Sequence, residues 1–118
     1  MIAELTGELK RKDGRGIVLD VHGIGYRVHI VKEQLEKLKI GEKISLLTYL
    51  AVRENALDLY GFENAEALDY FELLITVPGI GPKSAIAILS LAAPNILRRA
   101  IIADDTTYLT RVSGIGRK

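Results

Sequence analysis

Apolar residues in the first half of the chain come in short, often alternating runs broken by turn residues. Ile17, Leu19 and Val21 alternate with Val18, Asp20 and His22, which predicts a strand. Gly23-Ile24-Gly25 turns the chain, and Tyr26, Val28 and Ile30 resume the period of two. From Lys32 to Lys39 that period breaks. Leu35 and Leu38 stand among Lys32, Glu33, Glu36 and Lys37, as in a short helix, and Gly41 ends it. Ile44 to Val52 is a long β-leaning run, Glu54-Asn55-Ala56 a turn, and Leu57 to Phe62 a last strand. With an opening strand over Ile2 to Leu9 there are five strands and one helix, the helix between the third and fourth. That order predicts a five-stranded OB-fold barrel, a common nucleic-acid scaffold.

From Asn64 onward the period becomes 3.6. Asn64 can cap a helix whose apolar face is Leu68, Phe71, Leu74 and Ile75. A second helix starts at Pro82, where the missing N–H costs nothing, and runs from Lys83 to Leu91. A third is expected near Pro94 and a fourth from Asp105 through Leu109. The fold class expected is therefore a β barrel over residues 1–62 followed by an all-α domain over 63–118.

Composition narrows the chemistry. The 118 residues include no cysteine, which excludes disulfides, Cys-ligated zinc, iron–sulfur clusters and thiol nucleophiles together. Two histidines, His22 and His29, are too few for a histidine metal cage, and as strand residues they are expected to be structural. The most apolar stretch, Ala85 to Ala93, already contains Ser90, and the N-terminus carries acids where a signal peptide needs its apolar region. A cytoplasmic location is the expectation. Net charge is only +1, but it is segregated. Glu63, Glu66, Asp69 and Glu72 have no base among them over residues 63–72, the pattern of a solvated helix face. Residues 73–118 hold six bases (Lys83, Arg98, Arg99, Arg111, Arg117, Lys118) against Asp104 and Asp105, a surplus of four.

Val77-Pro78-Gly79-Ile80-Gly81-Pro82-Lys83 joins two predicted helices, and Val112-Ser113-Gly114-Ile115-Gly116-Arg117-Lys118 repeats it 35 residues later. Glycines let the backbone take positive φ and approach another molecule closely. The isoleucine can plug the turn, and the next helix offers free N–H groups and a dipole to an anion. Lys83 adds a full charge there. A simple helix–helix turn accounts for one copy less well once there are two. Nucleotide loops fit worse: Pro82 stands where a Walker A loop needs glycine, and Ser84 where a dinucleotide fingerprint needs one.

These paired segments resemble helix-hairpin-helix motifs, which hold duplex DNA by its phosphates without reading sequence. With GIGYRVHI and TYLAVRENALDLYGF in the first half, the chain resembles the RuvA family of bacterial Holliday-junction-binding proteins along essentially its whole length. The resemblance implies a homotetramer, possibly paired on one junction, whose barrels form a platform for four-way junction DNA. The implied partners are the RuvB motor ATPase and the RuvC resolvase, and the implied processes are recombination, DNA repair and the SOS response to DNA damage. Gly79, Gly81 and Lys83 would hold phosphates of one arm, and Gly114, Gly116, Arg117 and Lys118 would form a second clamp, with Arg53 a further DNA contact.

Two departures stand out. Measured against the family, the sequence stops at Lys118 inside the second hairpin, without its following helix or the small C-terminal domain that contacts the motor. The family's junction-centre pin carries two adjacent acids; Glu54 matches the first, but Asn55 stands at the second. The resemblance implies that Glu54-Asn55 is this pin, with a simple polar β-turn as the alternative account of the pair. Asp58 lies on the following strand and is not expected to reach the centre.

No nucleophile–base pair is visible. Asp104-Asp105 looks like a helix cap, and Tyr49, Tyr60 and Phe62 like barrel core. No catalytic residue, metal or cofactor is expected. The alternative is a generic sequence-independent duplex-binding module of another repair protein.

Overall fold

The computed structural model describes residues 1–14 and 16–91. The helices expected near Pro94 and Asp105 lie outside the described residues. Five strands, β1 (Glu4–Lys12), β2 (Gly16–Val21), β3 (Ile24–Ile30), β4 (Lys43–Arg53) and β5 (Ala56–Phe62), close into a barrel in the order β1-β2-β3-β5-β4. A short helix, α1 (Lys32–Lys37), connects β3 to β4. All neighbours run antiparallel except β3 and β5, where Val28 faces Leu59 and Ile30 faces Gly61 in parallel register. This is the OB-fold arrangement.

The period of two does what the sequence implies. Leu9, Ile17, Leu19, Val28, Leu46 and Leu59 turn inward and form one buried cluster. Each such side chain contributes on the order of 1.5–3 kcal/mol on leaving water. Leu35 of α1 joins the cluster while Glu33 and Glu36 stay exposed.

Four local features differ from expectation. β1 continues to Lys12 instead of ending at Leu9, because a register shift between Leu9 and Arg11 lets Arg11 and Lys12 go on pairing with Val18 and Ile17. Lys12 then donates through Nζ to the carbonyls of Leu35 (3.2 Å) and Leu38 (2.6 Å), capping α1 from a neighbouring strand. His22 is not a strand residue. It opens a two-residue hairpin with φ of 52°, followed by Gly23 at 91°, the type I′ pattern that matches strand twist. The Asp20 carboxylate accepts the Gly23 N–H at 2.8 Å and holds that turn.

The fourth difference concerns the aromatics. Leu59 and the Gly61 position face the core, so Tyr60 and Phe62 lie on the barrel's outer face, though both are buried; Tyr49 is half-buried. The His29 ring stacks on Tyr60 at a centroid separation of 5.1 Å. Burial raises the Tyr60 phenol above its ordinary pKa, the Asp58 carboxylate adds to the rise, and Arg53 opposes it. The folded state thus holds this proton more tightly than the unfolded chain. The resulting stability is complete below about pH 10 and is lost as pH climbs through the raised value. Tyr60→Phe should flatten that alkaline decline in urea titrations relative to the parent chain.

The chain divides into two compact units, one spanning Met1–Leu68 and one beginning at Asp69. The boundary read from the sequence falls between β5 and α2 (Ala65–Ile75), whereas the units divide within α2. Asn64 caps α2 as its sequence suggests, its side-chain oxygen accepting the Ala67 N–H at 2.9 Å. Phe71 and Leu74 are fully buried, and Glu66, Asp69 and Glu72 are exposed. The next helix is α3 (Pro82–Leu91), with Ala85 and Ile88 buried. No helix among the described residues is long and apolar enough to cross a membrane.

Candidate nucleic-acid interface

α2 closes with the N–H groups of Thr76 and Val77 bonded to the carbonyls of Leu73 and Leu74. The Val77 carbonyl then accepts the Ile80 N–H at 3.1 Å. Val77-Pro78-Gly79-Ile80 is therefore a four-residue turn with proline second and glycine third. Gly79 has φ of 87°, as the third position of a type II turn requires. Val77 and Ile80 are buried, so the isoleucine plugs the hairpin and the flanking glycines are turned outward.

Gly81 caps α3, its carbonyl accepting the Ala85 N–H at 2.9 Å. Pro82 takes the first helical position. The N–H groups of Lys83 and Ser84 follow in the first turn, where a helix offers no acceptor. Lys83 is exposed and forms no ion pair among the described residues. A Cβ placed on Gly79 or Gly81 would meet no atom of the described residues within 4 Å. The hairpin thus presents open backbone, free donors, the positive end of a helix and one lysine, together suited to an oxyanion such as a phosphate.

A second feature stands on the barrel. Arg53 pairs with Ala56 to close β4 and β5 over a two-residue turn, Glu54-Asn55, both exposed. The turn is one residue shorter than expected because Ala56 already belongs to β5. Val52 and Leu57 face each other below it, each 69% exposed. Arg53 does not stand free. Its Nη2 donates to Oδ2 of Asp58 at 2.7 Å, a contact that reading the strand positions alone missed. Asp58 lies two residues past Ala56, so it is the diagonal neighbour of Arg53 across the hairpin. That diagonal spacing was the available signal.

Gly114, Gly116, Arg117 and Lys118, the expected second clamp, lie outside the described residues, as do Asp104 and Asp105. Among the described residues no group of three or more His, Asp or Glu side chains is placed to hold a metal ion.

Comparison with known proteins bears on both features. Residues 1–61 match the model of the family described as RuvA N terminal domain, and residues 71–118 that of the SAM-like helix-hairpin-helix tandem. A protein of Thermobifida fusca is 45% identical over 118 residues, covering the whole chain and 58% of its own length. One from Symbiobacterium thermophilum is 46% identical, with 58% of its length covered. One from Thermus thermophilus is 40% identical, with 62% covered. All three are named Holliday junction branch migration complex subunit RuvA, and the chain spans about three-fifths of their length. Because the barrel family's model takes in more than half of the chain, from Met1 to Gly61 in the closing strand, the chain belongs to the RuvA family.

Proposed function

We infer that the chain is the non-catalytic, junction-binding part of a RuvA subunit, holding four-way Holliday junction DNA for branch migration by a separate motor ATPase, RuvB. The observation that carries this reading is the Gly-Ile-Gly hairpin with its open helix N-terminus and exposed Lys83, in a chain whose relatives bear that name. Gly79, Gly81 and Lys83 hold phosphates of one arm, and Gly114, Gly116, Arg117 and Lys118 form the second clamp. Four copies in a cytoplasmic homotetramer match the four arms, since linked weak clamps gain avidity steeply. The complex serves recombination and repair, and the resolvase RuvC shares the junction.

The test is a gel shift on a four-way junction and on linear duplex across a salt series. The parent chain should prefer the junction; equal affinity for the two would instead favour a generic duplex binder. Lys83→Ala should weaken both complexes alike and make the salt dependence shallower by about one unit, the contribution of one neutralised phosphate.

The turn Glu54-Asn55 is the junction-centre pin, whose carboxylate repels phosphates and disfavours plain duplex. A carboxylate about 6 Å from a phosphate at an effective dielectric of roughly 40–80 is opposed by about 1 kcal/mol. Glu54→Gln should therefore raise duplex affinity relative to junction affinity by up to about fivefold at low salt, and Asn55→Asp should do the reverse. An unchanged ratio for both variants would remove the pin from the mechanism.

A further inference from the structure

Arg53 and Glu54 are adjacent at the tip of the β4–β5 hairpin, one cation beside one carboxylate. An exposed guanidinium so placed has two easy partners, the neighbouring carboxylate and any DNA phosphate that comes near. In the folded chain it is bonded to a third group, the Asp58 carboxylate, and not to its neighbour Glu54. Its Nη2 lies 2.7 Å from Oδ2 of Asp58, which draws it down the hairpin and away from the turn. Asp58 is the anchored member of the pair, with 22% side-chain exposure against 54% for Arg53. Its other oxygen, Oδ1, lies 3.9 Å from His29 Nε2 on β3, and His29 is itself stacked on Tyr60. The carboxylate is thus bracketed between groups from β3 and β4. Glu54 is left exposed, with no ion-pair partner among the described residues.

We propose that Asp58 is a positioning residue for junction selectivity: by binding Arg53 it withholds the only cation of the hairpin tip from phosphate and keeps the Glu54 carboxylate uncompensated. This rests on the junction-binding reading above and says which residue makes the tip repulsive. Residues 53–58 hold one cation and two carboxylates. Pairing two of the three places the remaining negative charge at the turn itself, at Glu54. Asp58 acts through Arg53 and touches no DNA.

The test compares the parent chain with Asp58→Asn, Asp58→Glu, Arg53→Gln and the double variant Arg53→Gln/Asp58→Asn. Each is titrated by fluorescence anisotropy against a four-way junction and a duplex of the same arm sequence over a salt series. Asp58→Asn releases the guanidinium. Duplex affinity should rise about fivefold at low salt, the salt dependence on duplex should steepen by about one unit, and the junction-to-duplex ratio should fall. Asp58→Glu should restore the parent ratio. In the Arg53→Gln background, with no cation to withhold, Asp58→Asn should leave the salt slope on duplex unchanged and shift duplex affinity less than it does in the parent. A purely structural carboxylate would act in both backgrounds, leave the salt slope alone and lower the melting temperature. Junction preference and salt slope kept intact by Asp58→Asn, or an equal effect in the Arg53→Gln background, overturns the role of Asp58 and leaves the junction-binding reading standing. Equal affinity of the parent chain for junction and duplex overturns that reading and the selectivity role with it.

Discussion

Gly81→Ala should leave the chain folded and cut its DNA affinity at least tenfold, whereas Gly79→Ala should damage fold and binding together. The two glycines sit two residues apart in one motif, but the hairpin makes different demands on them. Gly79 has φ of 87° at the third position of its turn. Any side chain there is strained by roughly 1–2 kcal/mol, a drop of several degrees in melting temperature. Gly81 is not among the residues with positive φ, and a Cβ on it would meet no atom of the described residues within 4 Å. The chain itself therefore tolerates alanine at Gly81, for less than about 1 kcal/mol of lost helix-cap preference. What a methyl group would exclude is a ligand. Pushing a phosphate out of reach of a backbone N–H forfeits a charge-assisted hydrogen bond of about 1.5–3 kcal/mol, which is ten- to a hundredfold in affinity. Calorimetric melting beside anisotropy at one fixed salt concentration checks both halves. Parent-like binding by Gly81→Ala would mean that phosphate does not approach there.

Gly7→Ala should be among the most damaging methyl groups in the barrel, alongside one at Gly16, where a Cβ would likewise run into backbone, that of Val28. Gly7 lies on β1, where a Cβ would come 2.3 Å from the carbonyl oxygen of Asp20 and 3.0 Å from the Val21 side chain. The nearest obstacle is backbone, so no rotamer change relieves the clash and β1 must separate from β2. Overpacking of this kind costs about 3 kcal/mol, or roughly ten degrees or more in melting temperature for a domain of this size. Gly14→Ala is the control, since no atom of the described residues lies within 4 Å of a Cβ there. Its melting curve should overlay that of the parent. A parent-like curve for Gly7→Ala would show that β1 and β2 do not approach so closely.

Much of this architecture was legible from one dimension. The period of two over residues 17–30, its break at Lys32, its return at Ile44 and the change to 3.6 after Asn64 yield the barrel's element order and the two described helices that follow, α2 and α3. Such patterns are local, because which face a side chain takes is set within a few residues of itself. The cap at Asn64 and the turn at Pro78-Gly79 are local for the same reason: the atoms that satisfy them lie within three residues.

Apart from the His22-Gly23 turn, which is local, the features that escaped the sequence depend on which strands meet, and in what register. The extension of β1 and the Lys12 cap on α1 required a register shift against β2 and a helix 23 residues away. Tyr60 and Phe62 looked like core, yet parity against Leu59 turns them outward, and their burial there no periodicity could supply. The Arg53–Asp58 pair exists because β5 begins at Ala56, one residue earlier than the turn residues suggested; a one-residue slip would send Asp58 to the other face. Among the described residues, the sequence by itself determined the elements, their order and the first Gly-Ile-Gly hairpin, since backbone preference and alternation act over a few residues. Barrel closure alone decided which glycines are crowded, which aromatics face outward and which carboxylate holds Arg53, because those contacts join residues whose proximity exists only once the strands are paired.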